Sequence, residues 1–199
     1  MTTHRAHPLK IGVIIGSVRA GRFADKVADW FVAEAGGRQD MEIHLIDLAE
    51  PALVDELKLS FEQSGDRPGD VPGLARRIEG LDGFVVVTPE YNHGYPASLK
   101  LAIDYVYSGW RAKPVGFVSY GGMAGGQRAV EQLRQVFAEL HAVTLRDTVS
   151  FPMAWEKFDD RGRPVDADGA GKAAAVLLEQ LAWWGLTLRE GRAARPYVG

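Results

Sequence analysis

A run of uniformly apolar residues, Phe84 to Val87, limits the fold of this chain more than any other stretch. Three of its four residues are valine. Such a run is typical of a strand buried on both faces, as in a parallel sheet with helices on each side. From Pro96 onward the apolar residues Leu99, Ile103 and Val106 recur at helical spacing. The chain therefore passes from a buried strand to a helix through the polar and aromatic segment 89–95.

The rest of the chain repeats this alternation. Further strands are predicted at 10–15, 42–47, 115–119 and 142–149. Helices are predicted from 23 to the glycines at 36–37, over 74–78, over 97–107, over 130–140 and over about 167–184. This pattern predicts an α/β protein, a doubly wound five-stranded parallel sheet with helices on both faces. The first, third and fourth strands are the most uniformly apolar and should be central, which gives the order 2-1-3-4-5.

Two stretches do not follow the alternation. Prolines and glycines punctuate residues 48–72, which predicts a long surface loop with at most a short helix. Residues 150–165 predict an irregular excursion before the last helix. We interpret 1–199 as a single domain, in which 1–8 form a loose tail.

Three unusual loops should meet at one edge of the sheet. With the predicted order, the sheet changes direction between its first and third strands, and ligands bind at such a point. The loops that follow the first, third and fourth strands are 16–22, 89–95 and 120–126. An ordinary β–α loop whose aromatic residues cover the core is the alternative for 89–95. The convergence of three such loops favours a ligand site.

The first loop, GSVRAGR, has the residue types that bind phosphate. A helix N-terminus attracts anions through its free N–H groups, Ser17 offers a hydroxyl, and Arg19 and Arg22 offer charged hydrogen bonds. The loop lacks the Gly-Lys-Ser/Thr of nucleotide triphosphate sites and the G-x-G of dinucleotide folds. A solvated turn with two exposed arginines is the alternative.

The other two loops offer flat surfaces and backbone groups. Glu90, Tyr91 and Asn92 would bring backbone N–H and C=O groups against the edge of a heterocycle. YGGMAGG at 120–126 has four glycines in seven residues, which permits close backbone approach, or else a merely flexible turn. A phosphate site beside two such loops indicates a phosphorylated planar ring system, and flavin mononucleotide (FMN) fits that description.

Composition excludes several other functions. The net charge of -3 gives no reason to expect nucleic acid or a membrane surface as a partner. No run has the length of a membrane span, and the first residues lack the apolar core of a signal peptide, so we expect a cytoplasmic protein. The chain has no cysteine, and its five histidines show no metal-binding spacing. We assign no metal site and no catalytic residue.

The helix predicted at 97–107 also indicates self-association. Leu99, Ile103 and Val106 occupy one side, while Leu101 and several aromatic residues lie elsewhere around it. A helix that is apolar around most of its circumference must bury a second face. We predict a symmetric dimer through this helix, unless the 48–72 loop or the 150–165 excursion covers it.

The chain resembles the NAD(P)H-dependent FMN reductase family of flavodoxin-like proteins, which includes quinone, chromate and azo-dye reductases. The motifs that carry the resemblance are GSVRAGR at 16–22, PEYNHGYP at 89–96 and SYGG at 119–122. The similarity runs from Ile11 to about Pro152 and is weaker through the last helix. Many members have a serine at the position of Arg22, whereas another branch has arginine there.

This resemblance implies a function and roles for particular residues. It implies hydride transfer from NADPH or NADH to bound FMN, then reduction of a quinone or a similar small acceptor, in a homodimer or tetramer. Ser17, Arg19 and Arg22 would hold the FMN phosphate. The residues expected around the flavin ring are Pro89, Glu90, Tyr91, Asn92, Ser119, Gly121 and Gly122. The cofactor carries the chemistry, so no side chain need act as an acid or a base.

Two other functions remain open at this point. One is an electron-transfer flavoprotein without a nicotinamide site, although such proteins tend to be strongly acidic with hydroxyl residues in the phosphate loop. The other is a flavin-binding protein without enzymatic activity. Bleaching of the flavin by NADPH would exclude the first, and turnover with a quinone would exclude the second.

Overall fold

A single parallel sheet forms the centre of the computed structural model, which describes residues 7–63 and 72–198. The strands are β1 Leu9–Ile15, β2 Met41–Asp47, β3 Gly83–Pro89, β4 Pro114–Tyr120, β5 Val143–Thr144 and β6 Val149–Phe151. Their order is β2-β1-β3-β4-β5, and β6 also pairs with β4. The predicted order is therefore confirmed, with β1, β3 and β4 in the centre.

Helices cover both faces of the sheet, as predicted. They are α1 Ala24–Gly36, α2 Pro51–Gln63, α3 Pro72–Glu79, α4 Ala97–Asp104, α5 Gln127–Glu139 and α6 Ala167–Ala194. One apolar core lies between the sheet and α1 with α6, and a second lies between the sheet and α2 to α5. β3 and β4 are buried along their whole length, as expected for strands covered on both sides.

The predicted fifth strand, 142–149, is divided into two short strands. β5 pairs with the start of β4, whereas β6 pairs with its end. Between them, the Arg134 guanidinium donates hydrogen bonds to the carbonyl oxygens of Leu145 and Arg146, at 2.5 and 2.9 Å. These carbonyl groups are satisfied by a side chain of α5, so the ladder with β4 is interrupted there.

The prediction for 48–72 was wrong over its first half, because α2 is a helix of thirteen residues. Pro51 stands at its first position, where a proline loses no helical hydrogen bond. Leu53 and Leu57 lie one turn apart and are buried against the sheet. Residues 64–71 of this stretch lie outside the described part of the chain, as do residues 1–6 of the predicted tail.

The last helix extends ten residues beyond its predicted end and reaches Ala194. Gly185, just beyond the predicted end, permits close packing, since a Cβ atom there would lie 2.9 Å from the Cδ1 atom of Leu9. The glycine therefore brings α6 against β1.

The helix predicted at 97–107 ends at Asp104, and most of its apolar residues pack within the chain. Trp110 is fully buried between Phe84 and Phe137, with ring centroids 4.7 and 5.4 Å away. Leu101 and Tyr105 are partly buried against the same core. The apolar character that suggested a second interface thus comes largely from this core. None of the described helices is both long and apolar enough to cross a bilayer.

Candidate functional site

The register of the sheet brings the predicted loops together. Ile15 pairs with both Asp47 and Val87, and Val118 pairs with both Val87 and Val149. The strands therefore end at nearly the same level. The loops after β1, β3 and β4 meet at this carboxyl edge, together with the segment after β6.

The β1–α1 loop presents backbone donors that have no partner. None of the six backbone N–H groups of residues 17–22 donates a hydrogen bond to a group that the structure describes. Arg19 is exposed and forms no ion pair within the described residues; its guanidinium lies over the Tyr91 ring, 3.6 Å from the centroid. Free N–H groups and an unpaired cation at the start of a helix form an anion-binding arrangement.

Arg22, in the same loop, is fully engaged. Its guanidinium donates to both carboxylate oxygens of Asp47, at 2.7 and 2.5 Å, to Asp25 at 2.8 Å and to the Ser17 carbonyl oxygen at 2.6 Å. These carboxylates raise the pKa of Arg22. Burial raises the pKa of Asp47, but the hydrogen bonds from Arg22 and the Ala49 N–H outweigh burial and lower it overall. Arg22 thus ties the loop to the end of β2.

Ser17 lies beneath this loop and is fully buried. Its hydroxyl is 2.7 Å from the Tyr91 hydroxyl, in a hydrogen bond in which either group can donate. Tyr91 therefore joins the second loop to the first, while Arg19 covers the Tyr91 ring. The structure brings all three residues together, as the prediction required.

The second loop is a tight hairpin. Tyr91 and Gly94 exchange two backbone hydrogen bonds, and Asn92 and His93 between them have φ angles of 49° and 75°. Asparagine and histidine are among the residues that tolerate this left-handed region. Within the described structure, the N–H groups of Asn92, His93 and Tyr95 have no acceptor, whereas Glu90 N–H donates to the Tyr120 carbonyl oxygen and Tyr91 N–H to that of Gly94.

The carboxylate of Glu90 is also occupied. It accepts hydrogen bonds from the backbone N–H and the guanidinium of Arg128, at 3.2 and 2.9 Å, and so caps the first turn of α5. Its side chain is largely buried. Glu90 thus connects the second loop to the helix that follows the third.

The third loop is built on buried supports. Ser119 is fully buried, and its hydroxyl donates to the Gly125 carbonyl oxygen at 2.8 Å, so it lies beneath the loop. Gly126 has a φ angle of 85°, and a Cβ atom there would lie 2.7 Å from that of Ser119. Gly121 and Gly122 are partly exposed above it.

A fourth segment, residues 151–156, belongs to the site although its sequence predicted only an irregular excursion. Gly121 N–H donates to the Phe151 carbonyl, Met153 N–H to that of Gly122, and Ala154 N–H to that of Gly121. Trp155 follows, with its indole against Gly122. These three backbone hydrogen bonds join segments that are distant in the chain, so the sequence carries no direct signal for this part of the site.

Tyr120 was quoted in a motif but not assigned to the site. It is the last residue of β4, and its hydroxyl is buried near Ser17 and Tyr91. Burial raises the pKa of Tyr120, and the neighbouring Tyr91 adds to the effect, so the hydroxyl keeps its proton. The signal in the sequence was a pair of hydroxyl residues, Ser119 and Tyr120, at the end of an otherwise apolar strand.

The site as a whole offers donors and few free acceptors. Free N–H groups, Arg19 and three hydroxyls converge there, while Asp25, Asp47 and Glu90 are already paired with arginines. No cluster of metal-binding side chains occurs among the residues described. A phosphate group, which only accepts hydrogen bonds, fits the first loop. A flat heterocycle fits between the second and third loops, where glycines leave the backbone accessible.

Comparison with known proteins agrees with this arrangement. The model of the NADPH-dependent FMN reductase family matches residues 9–156. An NAD(P)H-dependent FMN reductase of Schizosaccharomyces pombe is 40% identical over 140 residues, which are 64% of this chain and 64% of that protein. Another from Saccharomyces cerevisiae is 39% identical over 64% of this chain and 73% of its own length. A quinone reductase of Escherichia coli is 34% identical over 69% of this chain and 73% of that protein.

Solved structures show the same fold. A flavoenzyme NAD(P)H:(acceptor) oxidoreductase from Paracoccus denitrificans superposes with a TM-score of 0.67, at 24% identity, over 90% of this chain and 98% of that one. A flavodoxin from Pseudomonas aeruginosa gives a TM-score of 0.52, at 20% identity, over 87% of this chain and 97% of that one. The flavodoxin-like fold predicted from the sequence is therefore confirmed.

Proposed function

Because the chain belongs to the NADPH-dependent FMN reductase family, we propose that it binds FMN at the carboxyl edge of its sheet and acts as an NAD(P)H-dependent oxidoreductase. When bound, FMN accepts a hydride from the nicotinamide and then passes two electrons to an acceptor. The proposed acceptor is a quinone or a similar small molecule, as the name of the E. coli relative suggests.

The free donors of the β1–α1 loop are the observation that carries this proposal. The N–H groups of residues 17–22 would hold the phosphate, and Arg19, which lies over the Tyr91 ring in this structure, would pair with it. Leaving the ring costs little, since an exposed cation–π contact contributes about 0.5–1 kcal/mol. Arg22 acts on the phosphate site through its hydrogen bond to the Ser17 carbonyl, because all its donors are engaged.

The second and third loops orient the flavin ring. Pro89 and Tyr91 shape one wall, Asn92 offers its free N–H, and Gly122 offers its own, which has no partner among the described groups. Glu90, Ser119 and Gly121 hold the loops in place through the contacts above. Hydride transfer to the flavin requires no proton transfer by a side chain of this protein. The protein's part is therefore to position the flavin and its substrates and to exclude water.

We further propose that the protein is a dimer or tetramer through the segment 97–107. The exposed ring of Tyr107, 55% accessible, is the feature of this segment that supports the proposal. Light scattering of the wild type and of Tyr107→Glu tests it. A dimer that the substitution converts to a monomer is expected, and a monomeric wild type refutes the proposal.

An anaerobic visible spectrum tests the proposed function. The purified protein is reconstituted with FMN, freed of excess, and recorded before and after NADPH or NADH is added. We expect flavin bands that bleach within seconds and return when a quinone is added. Bands that persist with both nucleotides would refute the reductase and favour an electron carrier, and failure to retain FMN would refute the site itself.

A further inference from the structure

The Tyr120 hydroxyl is buried without a hydrogen-bond partner. Tyr120 is 5% exposed, and its hydroxyl oxygen is shielded from solvent with no partner of normal geometry among the described groups. Leaving such a group unsatisfied is unfavourable, because its interaction with water is removed and nothing replaces it. The ligand-free protein therefore carries a penalty that phenylalanine at the same position would avoid.

The surroundings of the ring do not require a tyrosine. Tyr120 packs against Phe23, with ring centroids 5.9 Å apart, in a core that also contains Phe151 and Phe158. Each of these neighbours is a plain hydrocarbon ring. The hydroxyl is thus a polar group among neighbouring phenylalanine rings, at a position that packing alone would fill with phenylalanine.

The hydroxyl is directed towards the first loop. The polar groups that influence the pKa of Tyr120 are Tyr91, Ser17, Arg22 and Asp25, all of which border the loop with the free N–H groups. Ser17 and Tyr91 satisfy each other through their 2.7 Å hydrogen bond, and Arg22 is occupied by carboxylates. Of the three hydroxyls gathered here, one is left without a partner.

We propose that Tyr120 is a further FMN-binding residue, whose hydroxyl donates a hydrogen bond to the phosphate of FMN. The three hydroxyl groups of Ser17, Tyr91 and Tyr120 lack an acceptor with several free lone pairs. A phosphate group would provide such an acceptor for all three. The hydroxyl is a donor in this contact, and a hydrogen bond to a charged acceptor is stronger than one to a neutral group. This inference rests on the proposed function, because it assumes that FMN is the ligand.

The test compares Tyr120→Phe with the wild type in two measurements. The first is a fluorescence titration of the apoprotein with FMN and with riboflavin, which lacks the phosphate. The second is thermal unfolding of the apoprotein. Tyr197→Phe is the matched control, because it removes the same group from an exposed ring outside the site.

We expect Tyr120→Phe to weaken FMN binding by about tenfold or more, the range for a hydrogen bond to a charged group, and to leave riboflavin binding unchanged. The apoprotein should unfold at the same or a higher temperature, because the substitution removes no hydrogen bond from it. The control should change neither measurement.

Three outcomes would overturn the inference. Unchanged FMN affinity would mean that the hydroxyl does not reach the ligand. Equal losses of affinity for FMN and riboflavin would place its contact away from the phosphate. A lower unfolding temperature of the apoprotein would show that the hydroxyl already has a partner. A wild type that binds no FMN refutes the proposed function instead, and it does so before any variant is compared.

Discussion

Arg19 and Arg22 lie three residues apart, yet the structure predicts opposite consequences for their removal. Arg22→Ala should destabilise the fold, because it leaves Asp47 without its partner. Arg19→Ala should leave the fold intact and weaken FMN binding, because this cation has no partner among the described residues in the ligand-free protein. Each variant is therefore the control for the other.

The expected loss of stability in Arg22→Ala follows from the burial of the ion pair between Arg22 and Asp47. The Arg22 side chain is 10% exposed and that of Asp47 is 24% exposed, so the pair is shielded from water but not fully buried. Breaking a fully buried pair by removing one partner costs about 3–5 kcal/mol, and exposed pairs contribute about 0–1. We expect Arg22→Ala to lower the free energy of unfolding by about 2–4 kcal/mol. That corresponds to a decrease of about 4–16 °C in Tm for a chain of this size.

The expected loss of FMN affinity in Arg19→Ala follows from the hydrogen bond that Arg19 would form with the phosphate. A hydrogen bond between charged groups contributes about 1.5–3 kcal/mol, and the energy of the cation–π interaction with Tyr91 is subtracted from this value. Arg19→Ala should therefore weaken FMN binding by about 0.5–2.5 kcal/mol, or about 2- to 70-fold. Its effect on the free energy of unfolding should stay within about 1 kcal/mol, the value of the exposed cation–π contact with Tyr91 that it removes.

Urea unfolding of the apoproteins and titration with FMN give the two quantities for each variant. The variants Arg22→Ala, Asp47→Ala and the double variant form a double-mutant cycle. Each substitution should lower the free energy of unfolding by less when the partner residue has already been replaced. An Arg22→Ala protein as stable as the wild type would refute the assigned role of the ion pair. Unchanged FMN affinity in Arg19→Ala would refute the assignment of the phosphate loop.

Three further predictions concern single residues. Gly126→Ala should lower the free energy of unfolding by more than about 2 kcal/mol, because φ is 85° and its Cβ would clash. Gly21→Ala, at φ 65° with nothing within 4 Å, should cost only about 1 kcal/mol. Burial lowers the pKa of Lys113 from 10.5 to about 8. At pH values between these two pKa values, Lys113 is protonated in the unfolded chain but not in the folded chain. The free energy of unfolding should therefore rise with pH over this range, by at most about 3 kcal/mol, and Lys113→Met should abolish the rise. FMN should quench the fluorescence of Trp155 more than that of the equally exposed Trp183 on α6, so Trp155→Phe should reduce the quenching and Trp183→Phe should not.

The sequence predicts the sheet well because its central strands carry their own signal. β3 and β4 are apolar along their length, and only a strand covered on both faces has that pattern. The division of the fifth strand could not be predicted in this way. It depends on Arg134, which lies on α5 and reaches the carbonyl groups of 145 and 146 only after the helix has packed on the sheet.

The same distinction, between local sequence signals and contacts made only in the folded chain, applies to the candidate site. Motifs identified the three loops, because phosphate binding requires particular residue types near a helix start. The motifs could not show which donors are free. The backbone N–H of Glu90 is consumed by Tyr120 and that of Gly121 by Phe151, and both bonds join segments that are distant in the chain. Arg19 and Arg22 likewise look equivalent until the register places Asp47 beside the end of β1.

The pairing of charges around the site explains how a chain with a net charge of -3 can bind an anion. Asp47 and Asp25 both pair with Arg22, and Glu90 pairs with Arg128, so each of these carboxylates has a cationic partner. The cation of the first loop that has no acidic partner among the described residues is Arg19, which lies beside unpartnered N–H groups. Loss of Arg22 would therefore act twice, since it frees the backbone of Ser17 and also exposes the negative charge of Asp47 to the phosphate. Replacing both Arg22 and Asp47 should restore part of the FMN affinity that Arg22→Ala loses, although neither substitution alone adds a ligand for FMN. Added salt should reduce the difference in FMN affinity between Arg22→Ala and the double variant. Salt screens the repulsion between Asp47 and the phosphate, but it does not reverse the distortion of the loop.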